Sequence, residues 1–148
     1  MMQKKVQIIS DGSLDLSQEL TKEKDIEVVP FYVSFDSETY QKEMVEVGVR
    51  EFYQEMVDHP TVFPKTSMPS VHDYYEVFEK YAKEQLPVIC ICITKKFSGS
   101  LQSATTAKDM ILEEYQDAQI TVIDSTVNTV LQGLYVLEAC RLRDMGLE

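Results

Sequence analysis

At 148 residues with 44% hydrophobic side chains, the chain matches one globular domain, long enough to bury about two-thirds of the surface that its unfolded form exposes. A formal charge of −11 and an isoelectric point near 4.6 argue against nucleic acid and anionic membrane surfaces as partners, since both require a basic patch. An anionic ligand therefore has to be held by local hydrogen-bond donors.

Met1–Lys5 leads straight into an apolar strand rather than a secretory leader, and no run approaches the roughly 20 apolar residues of a membrane span, so a cytoplasmic protein is expected. Val6–Ser10 reads as a short strand ending at Asp11-Gly12-Ser13, and Ser17 opens a polar helix with Leu20 on its apolar side. Ile26–Phe35 is β-branched and aromatic; Pro30 within it argues for an edge position or a bulge. Glu38–Val47 has the character of a short strand or hairpin arm. Val49, Phe52, Tyr53 and Met56 are helically spaced before His59-Pro60. Thr61–Pro69, with two prolines, reads as a loop, and Ser70 caps a helix carrying Tyr74, Phe78 and Tyr81 on one side.

Val88–Ile93 is the most apolar strand and suits a parallel position covered on both faces. Cys90 and Cys92 share one of its faces; the three cysteines make neither an even disulfide set nor a CxxC pair and read as small core residues. Leu101, Ala104, Ala107, Ile111 and Tyr115 follow at helical spacing. Ile120–Ile123 reads as another buried strand ending at Asp124-Ser125, and Leu131, Leu134, Tyr135 and Leu142 mark a last helix that stops near Gly146.

Strands alternating with helices of this length imply right-handed crossovers and an α/β fold, a mostly parallel sheet with helices on both faces. A single domain is expected over residues 1–148, and the closing helix, which would naturally lead into another strand, suggests the N-terminal half of something longer. The strand ends then gather Asp11-Gly12-Ser13, Ser98-Gly99-Ser100 and Asp124-Ser125-Thr126 along one edge, where ligands bind in open α/β sheets.

The chemistry of that edge is narrow. No GxGxxG follows Val6–Ser10 and no GxxxxGK occurs, so the familiar nucleotide cradles lack support. His59 and His72 have no paired-ligand spacing and read as surface residues; Ser98 lies outside a GxSxG elbow, and a Ser98–His72–Asp triad is a remote alternative. Asp11 and Asp124 end two strands, so an Mg²⁺-dependent phosphotransfer or hydrolase site is the competing reading; the plainer one has both carboxylates accepting backbone N–H bonds. What remains is a concentration of hydroxyls, among them Ser13, Thr66, Ser67, Ser98 and Ser125. With the N-terminus of the helix after Ser98, they can hold a carboxylate without a cationic side chain. A hydroxyl-lined mouth beside many apolar side chains suits an amphiphile.

Five segments together resemble the DegV family of bacterial fatty-acid-binding proteins: Ile9-Ser10-Asp11-Gly12-Ser13-Leu14-Asp15-Leu16, Val28-Val29-Pro30-Phe31-Tyr32-Val33, Thr66-Ser67-Met68-Pro69-Ser70, Phe97-Ser98-Gly99-Ser100-Leu101-Gln102-Ser103-Ala104 and Val122-Ile123-Asp124-Ser125. The resemblance implies a two-domain α/β protein that buries a long-chain fatty acid and presents its carboxylate to a separate fatty acid kinase for acyl-phosphate formation. Such a protein is not itself catalytic and uses no cofactor besides the bound acid. Carried over by position, Thr66 and Ser98 bind the carboxylate, with Gly99, Ser67, Ser13, Asp11 and Ser125 in support and no metal. The resemblance also implies no nucleic acid, no stable membrane insertion, and a surface left for dimerisation where a second domain would lie. The family usually has a hydroxyl residue where this chain has Gly12, glutamine where it has Met68, and threonine then tyrosine where it has Ser100-Leu101.

Overall fold

The computed structural model describes residues 6–146, so the Met1–Lys5 lead lies outside them. In chain order the elements are β1 (Gln7–Asp11), a 3-10 turn (Gly12–Leu14), α1 (Gln18–Glu23), β2 (Ile26–Val29), β3 (Tyr32–Ser34), β4 (Gln41–Lys42) and α2 (Val49–Asp58). β5 (Lys65–Ser67), α3 (Val71–Lys83), β6 (Val88–Cys92), α4 (Ser100–Glu114), β7 (Ile120–Asp124) and α5 (Thr129–Asp144) follow. The main sheet is parallel, in the order β2-β1-β6-β7. Its register aligns Ile9 with Cys90 and Cys90 with Val122, which sends these side chains to one face. There they meet Tyr74, Phe78 and Tyr81 of α3 and Ala104, Ala107 and Ile111 of α4. Ile8 and Ile91 point the other way and pack with Leu14, Ile26 and, from α5, Val136 and Cys140. The α/β expectation, with helices on both faces, holds. Cys90, Cys92 and Cys140 are buried, free thiols.

Four details differ from the sequence reading, each for a local reason. Ile26–Phe35 is not one strand: Pro30, with no N–H to give a ladder, ends β2 on the sheet edge, and β3 enters a second, antiparallel sheet of order β4-β3-β5. The Thr61–Pro69 loop contains β5, whose three exposed side chains hide the strand from any periodicity argument; it is held by pairing Thr66 with Val33 and Ser67 with Tyr32. Ile120–Asp124 is an edge strand in which Thr121 and Ile123 are exposed. On α5, Leu131, Leu134, Tyr135 and Leu142 face outward while Gln132, Gly133, Val136 and Cys140 are buried. Gly133 sits so close to the Leu14 carbonyl that a Cβ would collide with it, which turns the small side of the helix inward.

Candidate functional site

At the C-terminal end of β1, Asp11 is wholly buried and its carboxylate collects four donors. Oδ2 accepts the Ile93 N–H at 2.9 Å and the Ser100 hydroxyl at 2.9 Å; Oδ1 accepts Gln132 Nε2 at 2.9 Å and the Ser13 N–H at 3.3 Å. The Tyr74 hydroxyl, 2.6 Å from Ser100 Oγ, completes a relay from Tyr74 through Ser100 to Asp11. Burial raises the Asp11 carboxyl above its ordinary range despite these bonds. Asp11 thus ties β1, β6, α4 and α5 together. It lies out of contact with solvent. Asp124 accepts the Thr126 N–H at 2.9 Å, two strands and roughly 10 Å from Asp11. Both carboxylates therefore follow the plainer reading, and the described residues hold no group of three or more His, Cys, Asp or Glu placed for a metal.

The Ser98 turn lies beside this hub. Ser98 Oγ accepts the Ser100 N–H at 3.1 Å, which starts α4 and leaves the hydroxyl its own proton to donate. Thr66 comes from the small sheet, where its exposed side chain stands two residues before Met68. Met68 brings the two segments together: its Sδ lies 2.7 Å from where a Gly99 Cβ would be. Gly99 has φ −77, open to any residue, so the glycine serves this close approach.

A polar clasp fixes the same loop from below. Ser70 donates both its N–H (2.8 Å) and its hydroxyl (2.6 Å) to Asp73 Oδ2, and returns the favour by accepting the Asp73 N–H at 3.1 Å. Asp73 Oδ1 takes the Tyr32 hydroxyl at 2.8 Å and lies 3.4 Å from Lys42 Nζ. Burial pushes the Asp73 carboxyl up, but the Ser70, Tyr32 and Lys42 contacts outweigh it and hold the group below its usual value. On the other side, the Glu43 carboxylate occupies the space of a Gly12 side chain and accepts the Phe31 N–H at 3.0 Å. Two glycines at the main-sheet edge, Gly12 and Gly99, thus each seat one side chain of the small-sheet layer.

The remaining candidates have local work. Ser13 Oγ accepts the Thr129 N–H at 3.3 Å at the start of α5; Ser125 Oγ bonds Val127 through both its carbonyl and its amide. Ser67 pairs with Tyr32 and is exposed. His59 and His72 are exposed and lie 3.4 Å from Glu55 and Glu76, respectively. Cavities of about 420, 500 and 390 Å³ open elsewhere, with no residue of either turn in their linings. Sequence reasoning missed Glu43, Lys42, Tyr32 and Gln132. Only the Ser70-x-x-Asp73 box was readable, since the other partners lie dozens of residues away. No helix among the described residues is long and apolar enough to cross a membrane.

The comparisons agree with this architecture. A profile described as "Uncharacterised protein, DegV family" matches residues 5–148. A DegV domain-containing protein of Clostridium acetobutylicum is 36% identical over 142 residues, 96% of this chain and 49% of that relative. Among solved structures, a stearic acid-binding protein from Eubacterium ventriosum is 47% identical with a TM-score of 0.93, over 97% of this chain and 49% of that one. DegV, a fatty acid binding protein from Bacillus subtilis, is 26% identical with a TM-score of 0.83, again over 97% and 49%. The chain spans about half the length of these relatives. With the family profile matched along almost its whole length, the chain belongs to the DegV family.

Proposed function

We propose that this chain is the head-group-holding part of a cytoplasmic long-chain fatty acid carrier, non-catalytic in itself, which presents the acid's carboxylate to a separate fatty acid kinase for acyl-phosphate formation. The observation that supports this reading is the seating of Met68, two residues beyond Thr66, against Gly99, the neighbour of Ser98. Thr66 and Ser98 are the carboxylate donors, with the Gly99 N–H beside them and Ser67 at the rim. Ser13 and Ser125 support the edge through their loops, and no cofactor is required. The likeness to the stearic acid-binding protein of Eubacterium ventriosum supports the choice of ligand. The kinase step is what the family resemblance implies. The outward-facing residues of α5 form the surface through which copies of this chain associate.

Native mass spectrometry of the protein purified from cells should show a co-purified long-chain fatty acid. Ser98→Ala, and more strongly Thr66→Ala with Ser98→Ala, should lower its occupancy by about tenfold or more, the loss of one or two hydrogen bonds to a charged group. Absence of any bound acid, with no thermal protection by added stearate, would sink the reading. Adding a fatty acid kinase and ATP to the loaded protein should yield an acyl phosphate that hydroxylamine traps.

A further inference from the structure

Tyr74 of α3 is wholly buried, its ring centroid 5.8 Å from that of Phe78, yet its hydroxyl reaches the start of α4 and lies 2.6 Å from Ser100 Oγ. Asp11 sets the direction of this bond. Ser100 has one hydroxyl proton and gives it to Asp11 Oδ2 at 2.9 Å, so its oxygen accepts from Tyr74. Cys92 Sγ also lies near the Tyr74 hydroxyl, but at 3.6 Å it is the weaker acceptor. Held between a donor and an acceptor, the Ser100 hydroxyl has one orientation. Ser100 is also the first residue of α4, and its N–H is the donor to Ser98 Oγ at 3.1 Å. We propose that Tyr74 is a positioning residue for the head-group site: by pinning Ser100 it fixes Ser98 as a dedicated hydrogen-bond donor to the ligand's carboxylate. This rests on the Ser98 reading of the head-group site.

This chain of bonds suits an anion. With the Ser98 oxygen accepting the Ser100 N–H, its own proton is left for an acceptor, and a hydroxyl that accepts one bond donates a stronger one. Ser98 is half-buried and within reach of a ligand at the edge, whereas Ser100 and Tyr74 are closed to solvent. Without the Tyr74 hydroxyl, Ser100 Oγ swings on its single bond to Asp11, and the Ser98 proton loses its fixed aim. A carboxylate feels that loss more than an uncharged head group does, because bonds to a charged acceptor are the stronger ones.

The test is competition of hexadecanoic acid and hexadecan-1-ol against a fluorescent fatty acid at neutral pH, read as the ratio of their dissociation constants. The parent should prefer the acid by about tenfold or more, the worth of a hydrogen bond to a charged group. Tyr74→Phe, which keeps the buried ring, and Ser100→Ala should each cut that preference about fivefold by weakening the acid alone. Ser100→Thr, which restores the hydroxyl, should bring the preference back. A merely structural loss would weaken acid and alcohol together. A preference that survives both Tyr74→Phe and Ser100→Ala, but is abolished by Ser98→Ala, overturns the assignment and leaves the head-group site standing. A parent that binds neither ligand or prefers neither, or a Ser98→Ala variant that keeps the parent's preference, overturns the head-group reading and this assignment with it.

Discussion

Two carboxyl groups are carried to the main-sheet edge by different means, and the difference has consequences. Asp11 is surrounded by donors from four elements, whereas half-buried Glu43 accepts one backbone N–H, from Phe31, and faces Asp11 and Asp15. Burial raises the Glu43 carboxyl above the ordinary value of 4.5, and the charges of Asp15 and Asp11 push it the same way. A group whose folded value is raised stabilises the fold in its protonated form. That contribution is complete below the unfolded value and is lost as pH climbs through the folded one. Glu43→Gln keeps an acceptor for the Phe31 N–H and removes the charge. It should therefore be more stable than the parent at neutral pH, with the gap closing as pH falls to the ordinary glutamate range. Denaturant unfolding across that interval measures it, and a gap that stays constant with pH would refute the linkage. Neither Gly12 nor Glu43 announces this pairing in the sequence, because 31 positions and three strands separate groups that meet only once the small sheet has docked.

Short elements do much of the positioning. β5 is three residues long and only three residues separate it from α3, so the Thr66 loop depends on how firmly α3 is started. Asp73 supplies that firmness through Ser70 and extends it to Tyr32 and Lys42 of β3 and β4. Asp73→Ala removes the capping partner and takes from the half-buried Tyr32 hydroxyl its acceptor, which should cost about 1–3 kcal/mol. Amide hydrogen exchange should quicken at residues 65–70 while the β1 and β6 amides stay protected; uniform loosening would mean that the clasp serves the fold as a whole. The long elements were legible from periodicity: Tyr74, Phe78 and Tyr81 mark the inner side of α3, and Ala104, Ala107 and Ile111 that of α4. β5 was not legible, because a strand with all side chains in water shows no alternation. The inward side of α5 was misread for a related reason, since it is chosen by the Gly133 approach and by Gln132 reaching Asp11, neither of which is a hydrophobic signal.

At the scale of the whole molecule, exposed apolar side chains run along α5 and are densest in its first two turns. Its second half carries the exposed Arg141–Glu138 ion pair and the Arg143–Asp144 pair, in which the Arg143 side chain is largely buried. Its first two turns, near the strand ends and beside edge strand β7, leave Val130, Leu131, Leu134 and Tyr135 roughly half exposed, with Ile123 on β7 itself exposed. Grouped apolar side chains of this kind mark interaction surfaces more often than scattered ones do. A sheet edge next to them adds unpaired backbone groups that favour a second chain. The proposed occupant of this face is a second copy of the chain. Sedimentation velocity should then show a concentration-dependent dimer. Leu131→Glu with Leu134→Glu, both outward-facing and free of core contacts, should restore the monomer without lowering the unfolding midpoint. A parent that stays monomeric at high concentration, or a double variant that dimerises as well as the parent, would remove α5 from the interface.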